Sequence, residues 1–151
     1  MERLGLTAST LISFAEKLEE DASRFYERLA DAYLQGRETF LAFAEAAKRS
    51  RALISRTYQE TVSDAIETGF SFEDLDLNEY AAEAVVSRDW SYVEALKAAL
   101  ELEEKAARFY SDVAERSRSL LATMPRAFVK IAQERAERGQ KLARLLSGQG
   151  N

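Results

Sequence analysis

Apolar residues recur at alternating three- and four-residue spacings over four long stretches of this chain, the pattern of helices with one face turned inward. The first stretch carries Ala15, Leu18, Ala22, Phe25 and Leu29, and the second Phe40, Phe43, Ala44, Ala47, Ser50 and Ile54. The third carries Ala99, Leu102, Ala106, Phe109 and Val113, and the fourth Met124, Phe128, Ile131, Arg135, Arg138, Leu142 and Leu145. The spacing predicts helix α1 over about residues 8–34, with Thr7 as N-cap and Gly36 ending it. It predicts α2 over about 38–67, closed by Gly69. Helix α3 begins at the capping box of Ser91 and Glu94 and runs to about 118. Helix α4 follows Pro125, a residue suited to a first helical turn, and runs to about 146, with 148–151 fraying.

Two short turns flank one long connection, residues 69–90, which is expected to hold a short helix over about 78–86. That order describes an all-α four-helix bundle, one domain over residues 1–151, in which α2 and α3 run parallel. Phe70, Phe72, Leu75, Leu77, Tyr80 and Trp90 in the crossover form an apolar cluster. It is expected to pack over the bundle and in part to face a second subunit, so the expected assembly is a homodimer.

Arg135 and Arg138 break the core stripe of α4. Buried guanidiniums are costly without carboxylates to neutralise them. The pair therefore marks either a charged site inside the bundle or two side chains that bury their stems and keep their heads in water.

The halves of the chain repeat. Residues 19–26 read Glu-Glu-Asp-Ala-Ser-Arg-Phe-Tyr and residues 103–110 read Glu-Glu-Lys-Ala-Ala-Arg-Phe-Tyr. The stripes of α1 and α3 align, and so do those of α2 and α4, as a duplicated helical hairpin requires.

Composition removes much chemistry. There is no cysteine and no histidine, which excludes disulfides, thiolate nucleophiles, imidazole ligands and Ser-His-Asp triads. The net charge is −5 with basic and acidic residues mixed, which argues against nucleic acid as the partner. No apolar run approaches a membrane span and the start has no signal-peptide core, so the expectation is a cytoplasmic protein without membrane contact. Met1 and Met124 are the only thioethers and neither falls at a mid-helix repeat position, which disfavours a haem held between methionines.

The paired Leu-Glu-Glu-x-Ala-x-Arg-Phe-Tyr segments, the Phe-x3-Ala starts of α2 and α4 and the long crossover resemble the ferritin-like superfamily, in particular small rubrerythrin-type proteins. The resemblance covers about residues 11–145. It implies a ferritin-like bundle of two repeated hairpins around a di-iron site, which takes one Glu from each of two helices and a Glu-x-x-His pair from each of the others. Carried over residue by residue, Glu19 and Glu103 match the single-Glu positions, while Glu20 and Glu104 lie farther round their helices. The Glu-x-x-His positions fall on Ala47 and Ser50 in α2 and on Arg135 and Arg138 in α4. A register shift on α2 gives Ser50 and Leu53, no better a pair. Tyr26 and Tyr110 match tyrosines that flank the family's metals, and they read equally well as partly buried aromatics with a polar tip. Glu45, Glu134 and Glu137 are assigned to outer faces.

Four of six implied ligands are thus replaced. The expectation is a degenerate site in which Arg135 and Arg138 pair with Glu19 and Glu103 where metals would sit, with no catalytic residue and no cofactor. The corresponding function is a metal-free structural or interaction module whose ancestral peroxidase or ferroxidase activity is lost. Two alternatives stand beside it. One is an iron-binding oxidoreductase with a reduced carboxylate site of Glu19 and Glu103. The other is a small-anion or small-molecule site that uses the arginines in the space left by Ala47 and Ser50, and it requires that the glutamates do not consume them.

Overall fold

A computed structural model of the chain describes residues 8–61, 76–81, 84–117 and 123–149. Four long helices occupy most of them: α1 (Ala8–Ala32), α2 (Arg37–Thr61), α3 (Tyr92–Ser117) and α4 (Thr123–Gln149). A 3₁₀ turn at Leu77–Glu79 lies between α2 and α3, and there is no strand among the described residues. The expected caps Thr7 and Gly69, and Phe70, Phe72 and Leu75 of the crossover, lie outside the described residues.

The helix boundaries follow from local hydrogen bonding. Helix α1 stops at Ala32, two residues before the sequence estimate, and Arg37 Nε donates to Ala30 O at 2.9 Å, satisfying one of its last carbonyls. Gly36 opens α2 rather than ending α1: its carbonyl accepts from Phe40 N at 2.9 Å. It has φ +80°, and a Cβ there would lie 2.5 Å from Tyr92 Oη. The turn therefore needs glycine for its backbone and for its closeness to the start of α3.

The capping box of α3 is present in both directions, with Glu94 N donating to Ser91 Oγ at 3.1 Å and Ser91 N to Glu94 Oε1 at 2.8 Å. Helix α4 begins at Thr123, so Pro125 falls at its third residue, and it continues through Gly148. Of the described residues in the short helix expected over 78–86, Asn78 and Glu79 lie in the 3₁₀ turn, and Ala81 and residues 84–86 are not helical. Asp76 caps that turn by accepting from Asn78 N at 3.0 Å. Beyond it, α3 takes over the polar groups: Tyr80 donates to Asp112 Oδ2 at 2.7 Å and Lys105 Nζ to Ala81 O at 3.1 Å.

Packing is closest within the α1/α2 and α3/α4 hairpins, while α2 stands farther from α4 and α1 from α3. The core is split in two. One apolar cluster joins Leu11 and Ala15 of α1, Ile54 of α2, Phe109 and Val113 of α3 and Phe128 and Ile131 of α4. The other joins Ala22 and Phe25, Phe40 and Ala47, Ala95 and Leu102, and Leu142. Early α1 thus shares a level with late α2, late α3 and early α4. So α1 and α4 run one way and α2 and α3 the other. Tyr80 closes the first cluster and Trp90 packs against the second, and a layer of buried polar and charged residues stands between them.

Candidate functional site: a charged layer across the bundle

That layer holds Glu19 of α1, Ser50 of α2, Glu103 of α3 and Arg135 and Arg138 of α4, all buried. Each follows from its place in a stripe. Ser50 lies between Ala47 and Ile54, and the arginines lie between Ile131 and Leu142, so the same periodicity that buries the apolar neighbours buries them.

Arg135 is the largest fully buried side chain among the described residues. Its Nη1 donates to Glu103 Oε1 at 2.8 Å and its Nη2 to Glu19 Oε1 at 2.7 Å, while Nε finds no partner among the described residues. One guanidinium therefore ties α4 to both α1 and α3. The second oxygen of each carboxylate is also taken. Tyr110 donates to Glu19 Oε2 at 2.5 Å, and Tyr26 donates to Glu103 Oε2.

The tyrosine bonds are reciprocal across two helices. Glu19 and Tyr26 are seven residues apart, as are Glu103 and Tyr110. Two helical turns rise about 10.5 Å, beyond a bond within one helix. Antiparallel α1 and α3 instead place each tyrosine beside the other helix's glutamate. Aromatic rings hold the phenols in place. Tyr26 packs edge-on to Phe43 at 5.3 Å, and Tyr110 edge-on to Phe128 at 5.3 Å.

Burial, and then the neighbouring Glu103 carboxylate, push the Tyr26 hydroxyl well above its ordinary value; burial and Glu19 do the same to Tyr110. Burial alone would lower Arg135. Glu103 and Glu19 together outweigh it and hold the guanidinium well above its ordinary range. Arg135, Glu19 and Glu103 thus form a buried ion-pair network joined to Tyr26 and Tyr110.

Arg138 departs from the expected four-member network. It is buried, but its Nη1 and Nη2 have no partner among the described residues, and neither has Ser50 Oγ. Each oxygen of Glu19 and Glu103 already accepts one bond, from Arg135, Tyr26 or Tyr110, and none accepts from Arg138 Nη1 or Nη2. Ala47 is buried in the apolar cluster next to the layer. Glu20 pairs on the surface with Arg24 and Arg51, Glu104, Glu45 and Glu137 are exposed, and Glu134 is half-buried.

Periodicity missed the reciprocal bonds, although the repeated Glu-to-Tyr interval of seven carried the signal. The small-anion alternative placed both arginines in the space left by Ala47 and Ser50; a groove of about 670 Å³ between α2 and α4 is lined by Ser50 and Arg138, with Arg49, Arg56, Lys130 and Lys141, but not by Ala47 or Arg135. Among the described residues, no three His, Cys, Asp or Glu side chains come together as a metal-ion site, and no helix is long and apolar enough to cross a membrane. No family model, curated protein or solved structure matches the chain.

Proposed function

We propose that this chain is a ferritin-like bundle of two repeated hairpins, similar to rubrerythrin-type proteins, that works as a metal-free structural or interaction module. The observation that carries the reading is the bridge from Arg135 to both Glu19 and Glu103. In the ferritin-like register those carboxylates would hold the metals, and here a guanidinium occupies the position between them. The donor set does not fit a di-iron centre. The remaining ligand positions are Ala47, Ser50 and Arg138, which supply no carboxylate and no imidazole, and Arg135 repels a cation placed beside it. Peroxide reduction and ferrous-iron oxidation therefore have no residues here to carry them.

Elemental analysis of protein expressed with excess iron tests the reading, with sub-stoichiometric metal as the expected result. Near-stoichiometric iron that disappears in Glu19→Ala would replace it with the iron-binding oxidoreductase reading. The ferritin-like register has its own test. Combining Ala47→Glu, Ser50→His, Arg135→Glu and Arg138→His restores the implied ligand set, and that variant should take up iron. A folded quadruple variant that binds none would refute the register.

A further inference from the structure

Arg138 is a buried cation whose terminal nitrogens the charged layer leaves over. The residue is 6% exposed and Ser50 is 3% exposed, so neither the guanidinium nor the hydroxyl is a solvated surface group. Nη1, Nη2 and Ser50 Oγ all lack a partner among the described residues, and a buried guanidinium without an acceptor is costly. The oxygens of Glu19 and Glu103 take their bonds from Arg135, Tyr26 and Tyr110, and none accepts from Arg138 Nη1 or Nη2.

Arg138 and Ser50 are both among the residues that line the groove between α2 and α4, on the side of the bundle where those helices stand apart. Its volume, about 670 Å³, lies within the range of small-molecule sites. Five basic residues line it against two acidic ones, Glu134 and Glu137, although the whole chain carries −5. Phe43 and Leu53 add apolar wall. A basic groove with an apolar side, ending on a paired-donor guanidinium, has the complement of a small organic anion.

We propose that the α2/α4 groove binds a small organic oxyanion, with its carboxylate or phosphate held by Arg138 Nη1 and Nη2 and Ser50 Oγ and its apolar body along Phe43 and Leu53. The rim cations Arg49, Arg56, Lys130 and Lys141 raise the local anion concentration and offset the added charge. The glutamates of the charged layer take no part, so the site stands whether or not the metal-free reading does.

Titration calorimetry on the whole protein tests this with benzoate, phenyl phosphate, inorganic phosphate and uncharged benzyl alcohol. Benzoate or phenyl phosphate should bind saturably, and which of them binds tighter identifies the oxyanion. Inorganic phosphate should bind more weakly than phenyl phosphate, and benzyl alcohol should not bind. Loss of a charged hydrogen-bonding partner in Arg138→Met should weaken binding about ten- to hundredfold. Should Arg138→Met fail to fold, the exposed rim variant Arg56→Ala with Lys141→Ala should still weaken binding and flatten its salt dependence. The proposal is overturned if neither organic anion binds, if benzyl alcohol binds as tightly as benzoate, or if inorganic phosphate matches phenyl phosphate. Binding that survives both Arg138→Met and Ser50→Ala would also overturn it.

Discussion

Replacing Arg135 with alanine removes the only cation bonded to Glu19 and Glu103 among the described residues, and leaves each fully buried carboxylate with a single tyrosine donor. Breaking a buried ion pair from one side costs about 3–5 kcal/mol, because the surviving charge stays desolvated. The two lost charge-assisted bonds, at about 1.5–3 kcal/mol each, bracket the same range. For a domain of this size that corresponds to a melting temperature lower by roughly 6–20 °C. Urea denaturation followed by helical circular dichroism gives the free energy directly. A companion variant separates charge from packing: Arg135→Met with Glu19→Gln and Glu103→Gln removes the whole charge set but keeps acceptors for Tyr26 and Tyr110. It should recover more than half of the loss, since a complete buried ion set is often replaceable at little net cost. A deficit below about 1 kcal/mol in Arg135→Ala, the range of an exposed pair, would refute the buried bridge. So would a triple variant as unstable as the single one.

Two further outcomes follow from the same geometry. Tyr26 and Tyr110 have hydroxyls raised well above the ordinary value of 10.0. Below pH 10 both are neutral whether the chain is folded or not. Above it the unfolded chain loses protons that the fold retains, so stability falls as pH rises. In an alkaline titration followed by tyrosinate absorbance, these two should ionise only as the helical signal collapses; ionisation of all six tyrosines with the helices intact would contradict the burial. Gly36→Ala forces an alanine to φ +80° and sets its Cβ against Tyr92 Oη, so it should cost about 1–3 kcal/mol in thermal or urea unfolding. Adding Tyr92→Phe should relieve only part of that cost, and a neutral Gly36→Ala would show that the turn relaxes.

The helices were legible because burial imposes a period, and the stripes around Phe25, Phe109 and Phe128 are unbroken enough to show it. The α3 capping box was legible because its two bonds join residues three apart. Arg135 stood out because it interrupts an apolar stripe, but the stripe alone left open whether its guanidinium faced the interior or the water. What the sequence did not disclose depends on distances between helices. Counting charges paired two arginines with two glutamates, but Arg135 alone bridges both carboxylates and Tyr26 and Tyr110 take the other oxygens. After the 3₁₀ turn the Ala81 carbonyl takes Lys105 of α3, a partner that no local pattern encodes.

Arg135 and Arg138 sit three residues apart on one face of α4, so sliding α4 along its axis by that step, about 4.5 Å, would exchange one for the other at the carboxylates. Electrostatics alone would scarcely distinguish the two alignments. The apolar residues do. One slide draws Lys141 into the buried level of Arg138 and Ile131 into the place of Phe128; the opposite slide sets Ala132 between two carboxylates. The guanidinium specifies that a cation must stand at this height in the bundle, and the bulky side chains above and below it select which one. Charge and shape thus act here as two independent constraints on a single helix alignment.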